Sequence, residues 1–146
     1  MVGFGEAIAR FYKGYVDFEG RASRSEYWWP FLMQAIVYTC LVFALVGILI
    51  SASAGSSDDF NASGLIGVLI AWLVFSLLNF LPSLAVSVRR FHDLDQTGWL
   101  VLVFVLANFF IGVTLFAQLI WFALKGTDGP NQYGSDPLGY DMDVFG

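Results

Sequence analysis

The sequence predicts an all-α membrane protein with three transmembrane helices, preceded by a short interfacial amphipathic helix. Three uncharged runs carry this prediction, at residues 28–50, 65–88 and 99–124. Each is longer than the roughly 20 helical residues that cross the hydrocarbon core of a bilayer. Only 13% of the residues are charged, whereas a typical soluble domain has about 25%. Residues 1–146 are therefore assigned to one membrane domain, which ends in a polar tail at 125–146.

The basic residues predict how this domain is oriented. Most of them precede the first run or lie between the second and third runs, and one follows the third run: Arg10, Lys13, Arg21, Arg24, Arg89 and Arg90, and then Lys125. The loop at 51–64 has none and carries Asp58 and Asp59. Because cytoplasmic loops are enriched in Lys and Arg, three spans place the N-terminus in the cytoplasm and the C-terminus in the periplasm.

The third run has an alternative to a single span. Gly112 lies near its middle, so the run could fold back as a re-entrant or helical hairpin. Each half would have only about 12 residues, which is too few for a full crossing. A single span at 99–124 is therefore the favoured interpretation.

The N-terminal segment at 4–18 has the pattern of an amphipathic helix. Phe4, Ile8, Phe11, Tyr15 and Phe18 recur at spacings of three and four, which lines one face of a helix. This pattern predicts a helix that lies in the headgroup layer. The glycines of this segment favour a poorly ordered leader as the alternative.

The first junction, at 18–29, joins this segment to the first run. Ser23 and Glu26 have the spacing of a capping box, in which a hydroxyl and a carboxylate bind backbone amides at a helix start. Pro30 predicts either a kink or a separate interfacial turn before the span. Arg21 and Arg24 are typical of anchors to anionic lipid.

The second junction, at 88–99, holds the only histidine of the chain, His92, beside Asp93. A His–Asp pair suggests acid–base chemistry or a metal site. Zinc sites, however, usually draw three or four ligands, and adjacent residues on a helix do not face each other. The favoured interpretation is a structural histidine that forms a hydrogen bond with a carboxylate or a carbonyl.

The third junction, at 125–137, is rich in turn-forming residues. Asp128, Asn131 and Asp136 offer oxygen ligands for a hard cation, but their spacing is not that of an EF-hand loop. The favoured interpretation is a rigid turn on the protein surface. No metal or cofactor is assigned to the chain.

Three spans place the first and second junctions on one face, where their charged side chains should meet. A lone, partly buried charge is costly, so we predict an ion pair of Arg21 or Arg24 with Asp93. The candidate site is a cytoplasmic polar cluster of seven residues: Arg21, Arg24, Glu26, Arg89, Arg90, His92 and Asp93.

A stripe of uncharged polar residues on the second run predicts contacts between helices. It consists of Ser76, Asn79, Ser83 and Ser87. Asn79 should face another helix, because its amide cannot stay unpaired in lipid. The following groups are its candidate partners: Gln34, Asn108, Thr114, Gln118 or a backbone carbonyl. No charged residue lies within the runs, which argues against a proton-coupled transporter.

Three stretches together resemble the YhaH/YhaI-like family of small bacterial inner-membrane proteins of unknown function: FEGRASRSEYWW, VRRFHDLDQTGW and GTDGPNQYGSDP. The resemblance covers roughly residues 12–137. This chain has Pro30, Gln96, Leu100 and Gln132 where the family pattern has hydrophobic, basic, aromatic and basic residues, respectively. The resemblance implies a bacterial inner-membrane location and no particular activity.

Three functions remain open. The favoured one is a non-enzymatic membrane protein that acts through contacts as an accessory subunit or scaffold. Its expected partners are the lipid bilayer and other membrane proteins or further copies of itself, with no nucleic acid. The alternatives are a protein or enzyme that binds lipid headgroups or phosphate at the cytoplasmic face, and an oligomeric transport or channel component whose pore follows the Ser76, Asn79 and Ser83 stripe.

Overall fold

The protein is an all-α membrane protein, as the sequence predicts. A computed structural model describes residues 2–53, 62–111 and 114–139. These residues form five helices: α1 (Phe4–Lys13), α2 (Arg24–Ser53), α3 (Ala62–Asp93), α4 (Leu100–Ile111) and α5 (Thr114–Ala123). Of these, α2 and α3 are long and apolar enough to cross a membrane, whereas α4 and α5 are short apolar helices. The predicted loop residues Asp58 and Asp59 and the tail residues Asp141 and Asp143 lie outside the described residues.

Helix α2 begins where the capping box predicts. The N–H of Ser23 donates to Oε2 of Glu26 at 2.8 Å, and the N–H of Glu26 donates to the Ser23 hydroxyl at 3.4 Å. Pro30 lies inside this helix. The first turn is therefore continuous with the span, and the alternative of a separate interfacial turn is wrong.

The third apolar run does not form the single helix that we favoured. It forms α4 and α5, and the ring centroids of Phe104 and Trp121 are 5.9 Å apart. In one continuous helix, residues this far apart in sequence would be separated by about 25 Å. The run therefore folds back on itself, which is the hairpin alternative.

Helix α1 is shorter than the predicted segment at 4–18. It ends at Lys13, and the N–H of the capping residue, Gly14, donates to the carbonyl of Arg10 at 2.9 Å. The helix packs beside the first turns of α2, where the rings of Phe4 and Trp29 meet edge to face at 5.6 Å. Arg10 also forms a 2.6 Å ion pair with Glu26.

Residue contacts divide the chain into two units. Unit 1 comprises Met1–Pro30 and Leu81–Gly146, and unit 2 comprises Phe31–Phe80. Unit 1 has an apolar core built from α1, the ends of α2 and α3, and the α4–α5 hairpin. Its buried members are Phe11, Ala22, Tyr27, Val86, Phe91, Val101 and Phe122.

Two residues of the polar stripe, Ser76 and Asn79, lie in unit 2 and form hydrogen bonds there. The hydroxyls of Ser76 and Tyr38 are 3.1 Å apart and join α3 to α2. Asn79 is only 3% exposed, as expected of an amide that avoids lipid. Its Nδ2 donates to the carbonyl of Phe75 at 2.8 Å, so this partner lies on its own helix.

Candidate functional site

The charged residues of the first and second junctions meet in unit 1. The Nη2 atom of Arg21 lies 2.9 Å from Oδ1 of Asp93, and the two side chains are only 1% and 5% exposed. This contact confirms the predicted ion pair across the junctions. Arg90, one helical turn before Asp93, pairs with the other carboxylate oxygen and is fully buried. One carboxylate therefore holds two buried guanidinium groups.

Backbone groups of the third junction complete this arrangement. Arg21 donates to the carbonyls of Thr127 and Gly129, each at 2.6 Å. In return, the N–H of Thr127 donates to the carbonyl of Asp93 at 2.9 Å. We call Arg21, Arg90, Asp93 and Thr127 the Asp93 cluster. It joins all three junctions through short, buried polar contacts.

Arg90 also binds the end of the α4–α5 hairpin to the second junction. Its Nε and Nη2 donate to the carbonyl of Phe122 at 3.1 and 2.9 Å, and Nη2 also donates to Leu124. Arg24 adds a longer bond of 3.4 Å to Ala123. The last carbonyls of a helix have no partner within it and carry partial negative charge. The end of α5 is therefore stabilised by the basic residues of the other two junctions.

These contacts differ from what the predicted topology would give. We expected the polar tail to lie across the membrane from the first two junctions. Instead, Thr127, Gly129 and Asn131 contact residues of those junctions. The described part of the third junction therefore lies beside the first two, because the third apolar run folds back instead of continuing.

His92 has a structural role in joining the junctions. Its Nδ1 lies 3.1 Å from the carbonyl of Gly20, as expected of a histidine bound to a carbonyl. Its ring stacks on Tyr133, with centroids 3.9 Å apart and planes 3° apart. The side chain of Asn131 donates to the carbonyl of His92 at 2.8 Å. The ring therefore contacts the first and third junctions.

For two other predicted members of the polar cluster, the described contacts are with residues other than Asp93. Glu26 binds Arg10 and the N–H of Ser23, so it caps α2 and holds α1. Arg10 donates hydrogen bonds to Glu26 and to Glu6, and these bonds raise the pKa of Arg10, with the larger effect from Glu26. Arg89 lies beside Gly14, where an added Cβ would be 2.9 Å from its Nη2. The Nε of Arg89 is buried and has no hydrogen-bond partner within the described part of the chain.

The candidate cation ligands of the third junction have separate tasks. Asp128 pairs with Lys125 at 2.7 Å, Asn131 binds the His92 carbonyl, and Asp136 accepts from the N–H of Leu138 at 2.8 Å. The hydrogen bond from the N–H of Leu138 stabilises the charged carboxylate and lowers the pKa of Asp136. Across the residues that the structure describes, no group of three or more His, Cys, Asp or Glu is arranged to hold a metal ion.

Sequence reasoning missed the contribution of the third junction to the cluster. Thr127 and Tyr133 contact the second junction directly. Gly126 lies so close to Asp93 that an added Cβ would be 2.0 Å from Oδ2. The family resemblance offered a usable indication, because its third motif, GTDGPNQYGSDP, includes all three residues.

The helices and the joined junctions are those of a small, all-α membrane protein. The family described as "Protein of unknown function (DUF805)" matches residues 15–135. The chain belongs to this family. No solved structure shows a significant match.

Two relatives from Escherichia coli (strain K12) agree with this assignment. Inner membrane protein YhaI is 38% identical over 128 residues, which cover 86% of this chain and 89% of the relative. Inner membrane protein YhaH is 35% identical over 125 residues, which cover 86% and 90%. These matches confirm the family resemblance that the three motifs indicate.

Proposed function

We propose that the protein resides in the bacterial inner membrane and acts through protein contacts, as an accessory subunit or scaffold. The observation that carries this proposal is the Asp93 cluster, which uses buried charges to hold three separate segments in one arrangement. Preorganised surfaces bind partners at a lower entropic cost than mobile segments do. The relatives named inner membrane proteins support the location.

The proposed topology has two crossings and a re-entrant hairpin. Helices α4 and α5 would be about 18 and 15 Å long, whereas the hydrocarbon core is about 30 Å thick. Placing all three junctions in the cytoplasm puts all 7 basic residues on the cytoplasmic side, in agreement with the positive-inside rule. Both termini are then cytoplasmic.

Reporter fusions test this topology. A cytoplasmic reporter fused after Gly139 should be active, and a periplasmic reporter at the same place should be inactive. The reverse result would overturn the two-crossing topology. A fusion after Ser53 provides the control, since it should read as periplasmic.

The described contacts favour this function over a pore or a phosphate site at Arg21 and Arg90. Arg21 and Arg90 donate to Asp93 and to backbone carbonyls, so their donors are engaged within the protein. In the stripe, Ser76 bonds to Tyr38 and Asn79 bonds to a carbonyl. The Ser76–Tyr38 bond joins two helices, which is typical of packing contacts.

Purification from native membranes in mild detergent tests the proposed function. We expect a second membrane protein to copurify at a fixed ratio. A double variant, Lys125→Glu with Asp128→Lys, keeps the exposed pair and the net charge but reverses the charges that the surface presents. It should release the partner while the melting temperature stays at the wild-type value. Recovery of only copies of this chain would contradict the proposal and favour an oligomeric channel component.

A second candidate function is the binding of anionic lipid headgroups, and Arg89 favours it. Arginine presents a planar set of donors that suits phosphate, and the Nε of Arg89 is buried without a partner among the described residues. Phosphatidylglycerol should raise the melting temperature of the wild-type protein more than phosphatidylcholine does. Arg89→Met should remove this difference, and Arg24→Met, at an exposed arginine, should keep it. An equal response to both lipids would exclude this candidate.

A further inference from the structure

Unit 1 contains a cavity of about 550 Å³ that the proposed functions do not use. Leu84, Val101 and Leu102 contribute its apolar walls, and His92, Thr97 and Tyr133 contribute polar groups. The volume lies within the roughly 300–1,000 Å³ that is usual for small-molecule sites. The cavity therefore combines an apolar surface with a few hydrogen-bonding groups.

The chemistry of the lining restricts what can occupy it. Among its described lining residues there is no Lys, Arg, Asp or Glu. The Nδ1 atom of His92 is engaged with Gly20, and its ring face is covered by Tyr133. Its Nε2 lies beside Gly98, another lining residue, because a Cβ there would be 2.9 Å away. The polar groups thus suit a neutral ester or hydroxyl better than a phosphate.

The cavity opens to the exposed surface of unit 1. Trp99 and Leu102 belong to its wall and are 73% and 46% exposed. Tryptophan is enriched at the level of the membrane interface, where the ester groups of membrane lipids lie. A membrane lipid has an apolar chain that matches the apolar walls and an ester that matches the polar groups. Its ester lies at the interface level that Trp99 favours.

We propose that this cavity binds one acyl chain of a membrane phospholipid, with the ester end of the chain near His92, Thr97 and Tyr133. Lipid tails are as apolar as leucine side chains, so moving a chain from the bilayer into the cavity gains little by itself. Selectivity must come from the shape of the cavity and from hydrogen bonds to the ester. This proposal is independent of any protein partner and of the Arg89 candidate.

Photolabelling with a defined lipid tests the proposal. The full chain is reconstituted into phosphatidylcholine vesicles that contain a small fraction of phosphatidylcholine with a diazirine in one acyl chain. After illumination, mass spectrometry locates the adducts. We expect labelling of Leu84, Val101 and their neighbours in the cavity to exceed labelling of the exposed residues on α4 by at least fivefold.

Two matched variants on α4 make the result decisive. Leu102→Trp fills the cavity and should reduce cavity labelling to the level of the exposed residues. Leu106→Trp adds the same side chain one turn further along, at a residue that is 61% exposed and is not among the lining residues, and should leave labelling unchanged. Melting temperatures establish that both variants are folded. Even labelling along α4 in the wild type, or equal labelling in both variants, would overturn the proposal.

Discussion

The two units of this protein solve the problem of helix packing in different ways. In unit 1, Arg21, Arg90 and Asp93 are buried and paired, and an aromatic core lies beside them. In the described residues of unit 2, Asn79 alone is buried, and most large apolar side chains are exposed. Buried ion pairs therefore join separate segments in unit 1, whereas in the described residues of unit 2 most large apolar side chains are exposed.

The largest expected effect follows from removing the carboxylate of the Asp93 cluster. Asp93→Asn leaves two buried guanidinium groups without their anion. Breaking a buried ion pair in this way typically costs about 3–5 kcal/mol. The melting temperature in detergent should fall sharply, and the third junction should become sensitive to protease.

A double-variant cycle checks that this loss comes from the pairing. Arg21→Met removes one of the cations and should also be destabilising. In the combined Arg21→Met and Asp93→Asn protein the losses should be less than additive, because the two residues are in contact. Strictly additive losses would show that the ion pair is not responsible.

A comparison of glycines in the two units gives the next effect. An added Cβ at Gly126 would lie 2.0 Å from Oδ2 of Asp93, whereas at Gly67 nothing lies within 4 Å. Gly126→Ala should therefore cost about 1–3 kcal/mol, as overpacking usually does. Gly67→Ala should be neutral or stabilising by up to about 1 kcal/mol, because alanine favours the helix interior. Melting temperatures measured side by side distinguish these outcomes, and equal losses would contradict the difference between the units.

A smaller effect is expected at Asn79 in unit 2. Asn79→Leu removes the 2.8 Å bond to the Phe75 carbonyl, and intramembrane hydrogen bonds average below about 1 kcal/mol. We expect a modest fall in melting temperature and no change in ion leak from liposomes. An unchanged melting temperature together with a lost leak would instead identify Asn79 as a pore-lining residue.

The smallest effect concerns pH and the third junction. The N–H of Leu138, followed by that of Gly129, binds the Asp136 carboxylate and lowers its pKa below the usual 3.8. A carboxyl whose pKa is lower in the folded protein stabilises the fold above its unfolded pKa, and this contribution disappears as the pH falls through the lowered value. Protease cleavage of the third junction should therefore be slower in the wild type than in Asp136→Asn at pH 7, and the difference should vanish under strong acid. A constant difference at every pH would rule out this role for the carboxylate.

Features that depend on neighbouring residues could be predicted from the sequence. The capping box at Ser23 and Glu26 forms because its groups are three residues apart on one helical turn. The Arg21–Asp93 pair was also predictable, since two consecutive spans return the first and second junctions to one face. The burial of this pair could not be predicted. The bonds from Arg21 to Thr127 and Gly129 could not be predicted either, because they join residues more than 100 positions apart in the chain.

By itself, the sequence determined that this is an all-α membrane protein, because the hydropathy of a long run depends only on which residues it contains. It also determined that the first two junctions are basic, and it predicts that the amide of Asn79 is kept from lipid. Only the tertiary structure decided that the third run folds back and that the third junction joins the other two. The hydropathy of a run predicts that its residues lie in the membrane, but it does not predict where the helix is interrupted. The end of α5 is held instead by Arg90, which lies outside the run and binds the carbonyls of Phe122 and Leu124.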